Sequence, residues 1–208
     1  MRNCEFCSEI QTGFLKIGES EFGRRILNES DNFIVLPCLG QFIEGYLLII
    51  SKKHYQSMSQ IPHALFSELD EVLERVKRVL QSNYGKSFFF EHGDVCNEKK
   101  AGSCIDHAHI HVIPVKSNIL EYLSYSFSHQ EITALTEIKN QYRKKAPYFF
   151  LQQHNDKRYV FKIKQQVPSQ FIRRIITLEM GIPDKWDWSV FPEFENMRKT
   201  IARLKNAF

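Results

Sequence analysis

The chain is predicted to be an α+β protein on three observations: apolar runs of strand length in its first half, one long amphipathic helical pattern among them, and a segment with histidine at every second position. That segment is Ile105-Asp-His-Ala-His-Ile-His-Val-Ile-Pro114. Successive side chains of a strand point to opposite faces, so His107, His109 and His111 share one face while Ala108, Ile110 and Val112 turn into the core. Each imidazole has two ring nitrogens to satisfy, and near neutral pH it serves as base, nucleophile or metal ligand. A lone histidine on an apolar strand is usually a satisfied core residue. Three in alternation would otherwise need an exposed edge strand that happened to be histidine-rich.

The other elements follow in order. Asp31–Pro37 reads as a strand entering a turn and Gly45–Ile50 as a buried strand of continuous apolar residues. Ser59 and Pro62 supply start signals for a helix in which Leu65, Leu69, Val72, Val76 and Val79 recur at helical steps, and Gly85 ends it. Lys86–Glu91 is another strand, and Glu91-His92-Gly93 opens a polar loop leading to the histidine strand. Beyond residue 120, Ser128-His-Gln-Glu131 has the form of a capping box opening a helix to about Arg143. Tyr148–Gln153, the turn Asn155-Asp156 and Arg158–Lys164 form a hairpin. Pro168 starts a helix that Gly181 ends, and a last helix after Pro192 places Phe194, Met197, Ile201 and Leu204 on one face.

With 208 residues, 43% hydrophobic and 25% charged, the chain suits one domain of residues 1–120 plus an extension over 121–208. No apolar run approaches the roughly 18 residues of a membrane helix, and Met-Arg-Asn-Cys lacks the apolar stretch of a signal peptide. A cytoplasmic location is expected. Five irregularly spaced cysteines do not make a disulfide framework. The net charge of +4 suits anionic substrates but is too weak to imply nucleic acid. Cys4-Glu-Phe-Cys7 supplies two of the four ligands of a structural zinc; a redox pair would want a helix start in a βαβ context, which this terminus does not offer.

His107-Ala-His109-Ile-His111-Val-Ile resembles the signature of the histidine-triad family, H-φ-H-φ-H-φ-φ, whose members are nucleotide hydrolases and nucleotidyl transferases. Gly45-Tyr-Leu-Leu-Ile-Ile-Ser-Lys-Lys-His54 is similar to the family's Gly-His-x-Leu-φ-Ile-Pro-Lys-x-His segment, with Tyr46 for the first His and Ser51 for Pro. The resemblance implies an antiparallel sheet with helices packed on it, a nucleotide substrate, and a structural zinc held by Cys4, Cys7, His54 and His107. It implies His109 as nucleophile on a nucleotide's α-phosphorus, with its other ring nitrogen donating to a backbone carbonyl, and His111 as donor to a phosphate oxygen. Backbone N–H groups of Ala101-Gly102-Ser103-Cys104 would stabilise phosphate charge. The family has Gly-Gln-Ser/Thr there, so Ser103 becomes the candidate hydroxyl, and Cys104 stands where the hydroxyl is usual. Gly102, Cys104, Glu91 and Phe33 are the candidate substrate-binding residues, and His92 a candidate fourth catalytic imidazole. His111, where transferring relatives carry Gln, favours hydrolysis.

A dinucleoside polyphosphate or a nucleoside phosphoramidate is the expected substrate. Alternatives are a nucleotide-binding regulatory protein with weak activity, motivated by the altered loop, and a nucleotidyl transferase or nucleic-acid end deadenylylase, motivated by Lys99, Lys100, Arg143, Lys144 and Lys145. Family members are usually dimers, so the extension either covers the site within one chain or reinforces a homodimer. Gln170, Arg173 and Arg174 near a helix start suit phosphate, but a solvated helix face is the simpler reading. Trp186 and Trp188 are expected to anchor the extension.

Overall fold

The computed structural model describes residues 4–17, 20–95 and 100–208. Helix α1 (Glu5–Thr12) leads into a two-stranded hairpin, β1 (Leu15–Ile17) and β2 (Ser20–Gly23). Strands β3 (Asn28–Glu29), β4 (Phe33–Pro37) and β5 (Leu47–Ser51) precede helix α2 (Phe66–Asn83), β6 (Phe88–Gly93) and β7 (His109–Ile113). The extension contributes α3 (Ile119–Ser126), β8 (His129–Ile132), α4 (Lys139–Arg143), β9 (Tyr148–Gln152), β10 (Arg158–Lys162), α5 (Phe171–Glu179) and α6 (Phe194–Leu204). Strands β3 to β10 form one antiparallel sheet in the order β3-β4-β5-β7-β6-β9-β10-β8. The extension therefore continues the sheet, because β9 pairs with β6.

Strand alternation divides the core. Phe33, Val35, Leu47, Ile49, Phe89, Ala108, Ile110 and Val112 face α2, which answers with Leu69, Val72, Leu73, Val76 and Leu80 at helical spacing. The other face carries Ile34, Leu36, Leu48, Ile50 and Phe90 against Phe6 of α1, Ile119 and Leu123 of α3, and Ile172 and Ile176 of α5. His109 pairs with Ile50 and His111 with Leu48, which puts both imidazoles on this second face. No helix of the described residues is long and apolar enough to cross a membrane.

Two local expectations differ from the structure. The helix expected over Ser128–Arg143 is instead strand β8, a 3-10 turn at Leu135–Ile138 and α4. Backbone pairing of His129–Ile132 with β10 overrides the capping signal, and Glu137, not Glu131, accepts the N–H groups that open the turn, from Thr133 and Ala134. Helix α2 starts at Phe66 rather than near Ser59, because Met58–Gln60 is a 3-10 turn bound to the sheet: Met58 N–H donates to Glu91 Oε1 and Ser59 N–H to Tyr148 Oη.

Candidate active site

Three segments supply the potential metal ligands. Cys4 caps the N-terminus of α1 and Cys7 lies in its first turn, His54 follows β5, and His107 enters β7. Their ligand atoms all lie within 4.8 Å of one another. Cys4 Sγ is 3.3 Å and Cys7 Sγ 3.6 Å from His107 Nδ1, and Cys7 Sγ is 3.4 Å from His54 Nδ1. A tetrahedral zinc with Zn–S of about 2.3 Å and Zn–N of about 2.0–2.1 Å sets sulfur and nitrogen about 3.5 Å apart, so the donor set fits. His107 Nε2–H donates to Ser51 O at 2.7 Å, leaving Nδ1 as the ligand atom. The residues form a group able to bind a metal ion, and four ligands close its coordination.

Two residues on, His109 is 4% exposed and its Nδ1 lies 2.6 Å from the His107 carbonyl oxygen. A carbonyl only accepts, so Nδ1 carries the proton and Nε2 keeps its lone pair. His111 Nδ1 lies 2.7 Å from Tyr46 Oη, and Phe90 stacks on its ring at 4.5 Å between centroids. Arg173 Cζ lies 5.3 Å from the Tyr46 ring; with the phenol as donor in its bond to His111 Nδ1, the imidazole's own proton sits on Nε2. Burial pulls the pKa values of His109 and His111 below the ordinary imidazole value, so both rings are neutral at pH 7.

The two histidines open on a cleft of ≈ 660 Å³. One wall is α1, with Phe6 edge-on to both His107 and His109 at 5.6 Å between centroids. Arg25 holds that wall by donating from Nε and NH2 to the Glu9 carboxylate, each at 2.7 Å, an ion pair buried on both sides. Cys38, Cys104, Arg173 and Trp188 line the cleft as well. Two of these belong to the extension, which therefore covers the site within one chain.

Several expected residues are placed differently. Phe33 and Glu91 lie one strand position out of phase with the histidine face. Phe33 is wholly buried against α2, and Glu91 binds Met58 N–H and the Tyr148 hydroxyl, each at 2.6 Å. His92 shares the histidine face, with its ring 5.9 Å from that of His111, but its Nε2 accepts the Ile172 N–H at 3.2 Å. Burial lowers its pKa to about 3, so it anchors α5 rather than carrying a proton to a leaving group. Ser103 Oγ donates to Ile105 O at 2.7 Å. The Ala101 and Ser103 N–H groups both donate to the Asp94 carboxylate, at 2.7 and 3.3 Å, so half of the expected backbone donors are already used. Gly102, with φ +72°, makes room for the extension: a Cβ there would lie 2.4 Å from Pro168 O. Cys104 lines the cleft.

The solvated-face reading fits Arg174, which stacks on Trp186, but not Arg173, which is 1% exposed. The signal for Arg173, a cation near a helix start, was present but shared with its neighbour. Tyr46 stood out only as a departure from a motif. Lys99 lies outside the described residues, and Arg143, Lys144 and Lys145 at the end of α4 do not line the cleft.

Residues 20–118, just under half of the chain, match the model of the HIT domain. Among curated proteins the chain is similar to human CWF19-like protein 1, 26% identical over 177 residues that span 79% of this chain and 31% of that protein. It is also 25% identical over 103 residues to an uncharacterised HIT-like protein of Methanocaldococcus jannaschii, covering 49% of this chain and 76% of that one. The chain thus spans about a third of the length of the first of these relatives. Similar solved structures include a HIT family protein from Bacillus anthracis, at 21% identity, 56% and 76% coverage and a TM-score of 0.43. Another is a Zn-bound histidine triad family protein from Mycobacterium smegmatis, at 19% identity, 69% and 92% coverage and a TM-score of 0.41.

Proposed function

We propose that the chain is a nucleotide phosphohydrolase that cleaves a phosphoanhydride or phosphoramidate bond through a nucleotidyl-histidine intermediate on His109. The observation that carries this reading is the 2.6 Å contact of His109 Nδ1 with the His107 carbonyl, which leaves the Nε2 lone pair as nucleophile beside the cleft. Nε2 attacks the α-phosphorus, the bond to the leaving phosphate or amine breaks, and water then cleaves the P–N bond to release a nucleoside monophosphate and restore the imidazole. His111 donates from Nε2 to a non-bridging oxygen. Cys4, Cys7, His54 and His107 hold a structural zinc that fixes α1 against the site and takes no part in the chemistry, since four protein ligands leave no open position. Reduced cysteines suit work in the cytoplasm.

The test is incubation with dinucleoside polyphosphates and nucleoside phosphoramidates, reading monophosphate release and mass spectrometry of the quenched protein. A nucleotidyl adduct on His109 is expected, and His109→Ala should lower turnover by at least about a hundredfold. Unchanged turnover in that variant would exclude the mechanism.

A further inference from the structure

The extension places a buried guanidinium in the cleft. Arg173 is 1% exposed and lines the same cavity as His109 and His111. Its partners carry no compensating charge. Nε donates to Trp186 O at 2.9 Å, NH2 to Gly40 O at 2.8 Å, and NH1 approaches Cys38 Sγ at 3.6 Å. The rings of Phe42 and Tyr46 lie 5.0 and 5.3 Å from its Cζ. Among the described residues no carboxylate forms an ion pair with it. The cleft's other buried arginine differs, because Arg25 is matched by Glu9. Loss of water contact raises the Cys38 and Cys104 thiols above their ordinary pKa, so neither is a counter-ion at pH 7.

A charge held out of water without a partner is costly, and such groups in folded proteins are normally paired. An arginine fork suits the planar, two-point recognition of phosphate oxygens. The loop before the histidine strand has the complementary deficit: the Ala101 and Ser103 N–H groups serve Asp94, the Ser103 hydroxyl serves Ile105 O, and Cys104 offers only a weak thiol donor.

We propose that Arg173, supplied by the C-terminal extension, is the cation that binds the phosphate oxygens of a nucleotide beside His109 and His111, in place of the hydroxyl and the two backbone donors that the Ala101–Cys104 loop spends on Ile105 and Asp94. This names the anion-recognising residue of the site and rests on the nucleotide reading above. Positioning also follows, since the Arg173 guanidinium packs on the Tyr46 ring, whose hydroxyl bonds His111. The nucleotide site is then incomplete without the extension.

The experiment is calorimetric titration of AMP and of adenosine into the full chain at fixed ionic strength, for the wild type, Arg173→Met and Arg173→Gln, with circular dichroism to confirm folding. The wild type is expected to bind AMP at least tenfold more tightly than adenosine. Both neutral variants should bring that ratio close to one while leaving adenosine affinity unchanged. A ratio near one in the wild type, or a wild-type ratio in a folded neutral variant, overturns the proposal. If neither neutral variant folds, Arg173→Lys decides: a point charge without the fork should lower the ratio at least threefold, and an unchanged ratio overturns it. Wild type that selects AMP through Arg173 but releases no monophosphate from any substrate overturns the hydrolase reading alone. Turnover with an unchanged ratio in the variants overturns the role of Arg173 alone.

Discussion

Tyr46 shows how one substitution within a motif is absorbed by its surroundings. A histidine there would be a second imidazole against His111; the phenol instead packs its ring by Arg173 and bonds His111 Nδ1 through its hydroxyl. Tyr46→Phe removes that bond in a fully buried place. It is expected to cost about 1–3 kcal/mol of stability in urea denaturation. Turnover should fall by about tenfold with KM little changed, because His111 loses its tautomer rather than its contact with substrate. A variant that matches the wild type in kcat would show that Tyr46 does not set the tautomer. At this scale His107, His109, His111 and the Cys4/Cys7 pair were legible from the sequence because strand and turn spacing is local. Arg173 was not, since it lies 62 positions beyond His111 and nothing local separates it from Arg174. Phe33 and Glu91 were misplaced by a single step of strand phase: Ile34 and His92 are the residues on the histidine face.

Helix α1 is short and amphipathic, and eight residues do not hold a helix in water. Two contacts fix it from outside, the Glu9 carboxylate on Arg25 and Phe6 against His107 and His109, and a metal at the Cys4-Cys7-His54-His107 group would add a third. The wall of the cleft is thus conditional on two electrostatic contacts. Removal of the metal with a chelator is expected to lower the melting temperature and to open residues 4–12 to protease while the sheet stays resistant. An equal cleavage pattern with and without chelator would show that the cluster is not occupied or does not hold α1. Glu9→Gln leaves Arg25 buried without its counter-charge, which should cost about 3–5 kcal/mol in denaturant melts. A loss under 1 kcal/mol would mean that water reaches Arg25 once α1 shifts. The sequence showed Cys4 and Cys7 but not this second anchor, because Glu9 and Arg25 meet only after the β1-β2 hairpin folds back.

Over the whole molecule, the portion that matches the HIT domain and the extension are joined by a polar contact buried in the sheet. Glu91 on β6 accepts the Tyr148 hydroxyl of β9, and Gly93 leaves space for the Tyr148 ring, which would come within 2.1 Å of a Cβ there. The hairpin and the last two helices of the extension were legible, as turn residues and apolar periodicity mark them. That β9 would pair with β6 was not, because strand partners depend on which edge is free after β3 to β7 assemble. The junction is pH-sensitive. Burial, the largest cause, raises the Glu91 pKa to about 7, so the folded chain keeps the proton that an unfolded carboxyl releases near pH 4.5. Between those values the folded state binds more protons, and stability from this group falls as pH rises, by about 3 kcal/mol in all. His92, lowered to about 3, acts in the opposite sense, with no cost above pH 6.5 and a growing one as pH falls toward 3. The two effects overlap between pH 4.5 and 6.5, so the pH profile of the wild type alone would hide both. Glu91→Gln separates them. The stability difference between wild type and variant, read from urea melts, should shift toward the variant by about 3 kcal/mol from pH 4.5 to 7.5 and stay flat above. A constant difference across that range would mean that Glu91 is ionised in the folded chain throughout, and that the two portions are joined by a carboxylate rather than by a shared proton.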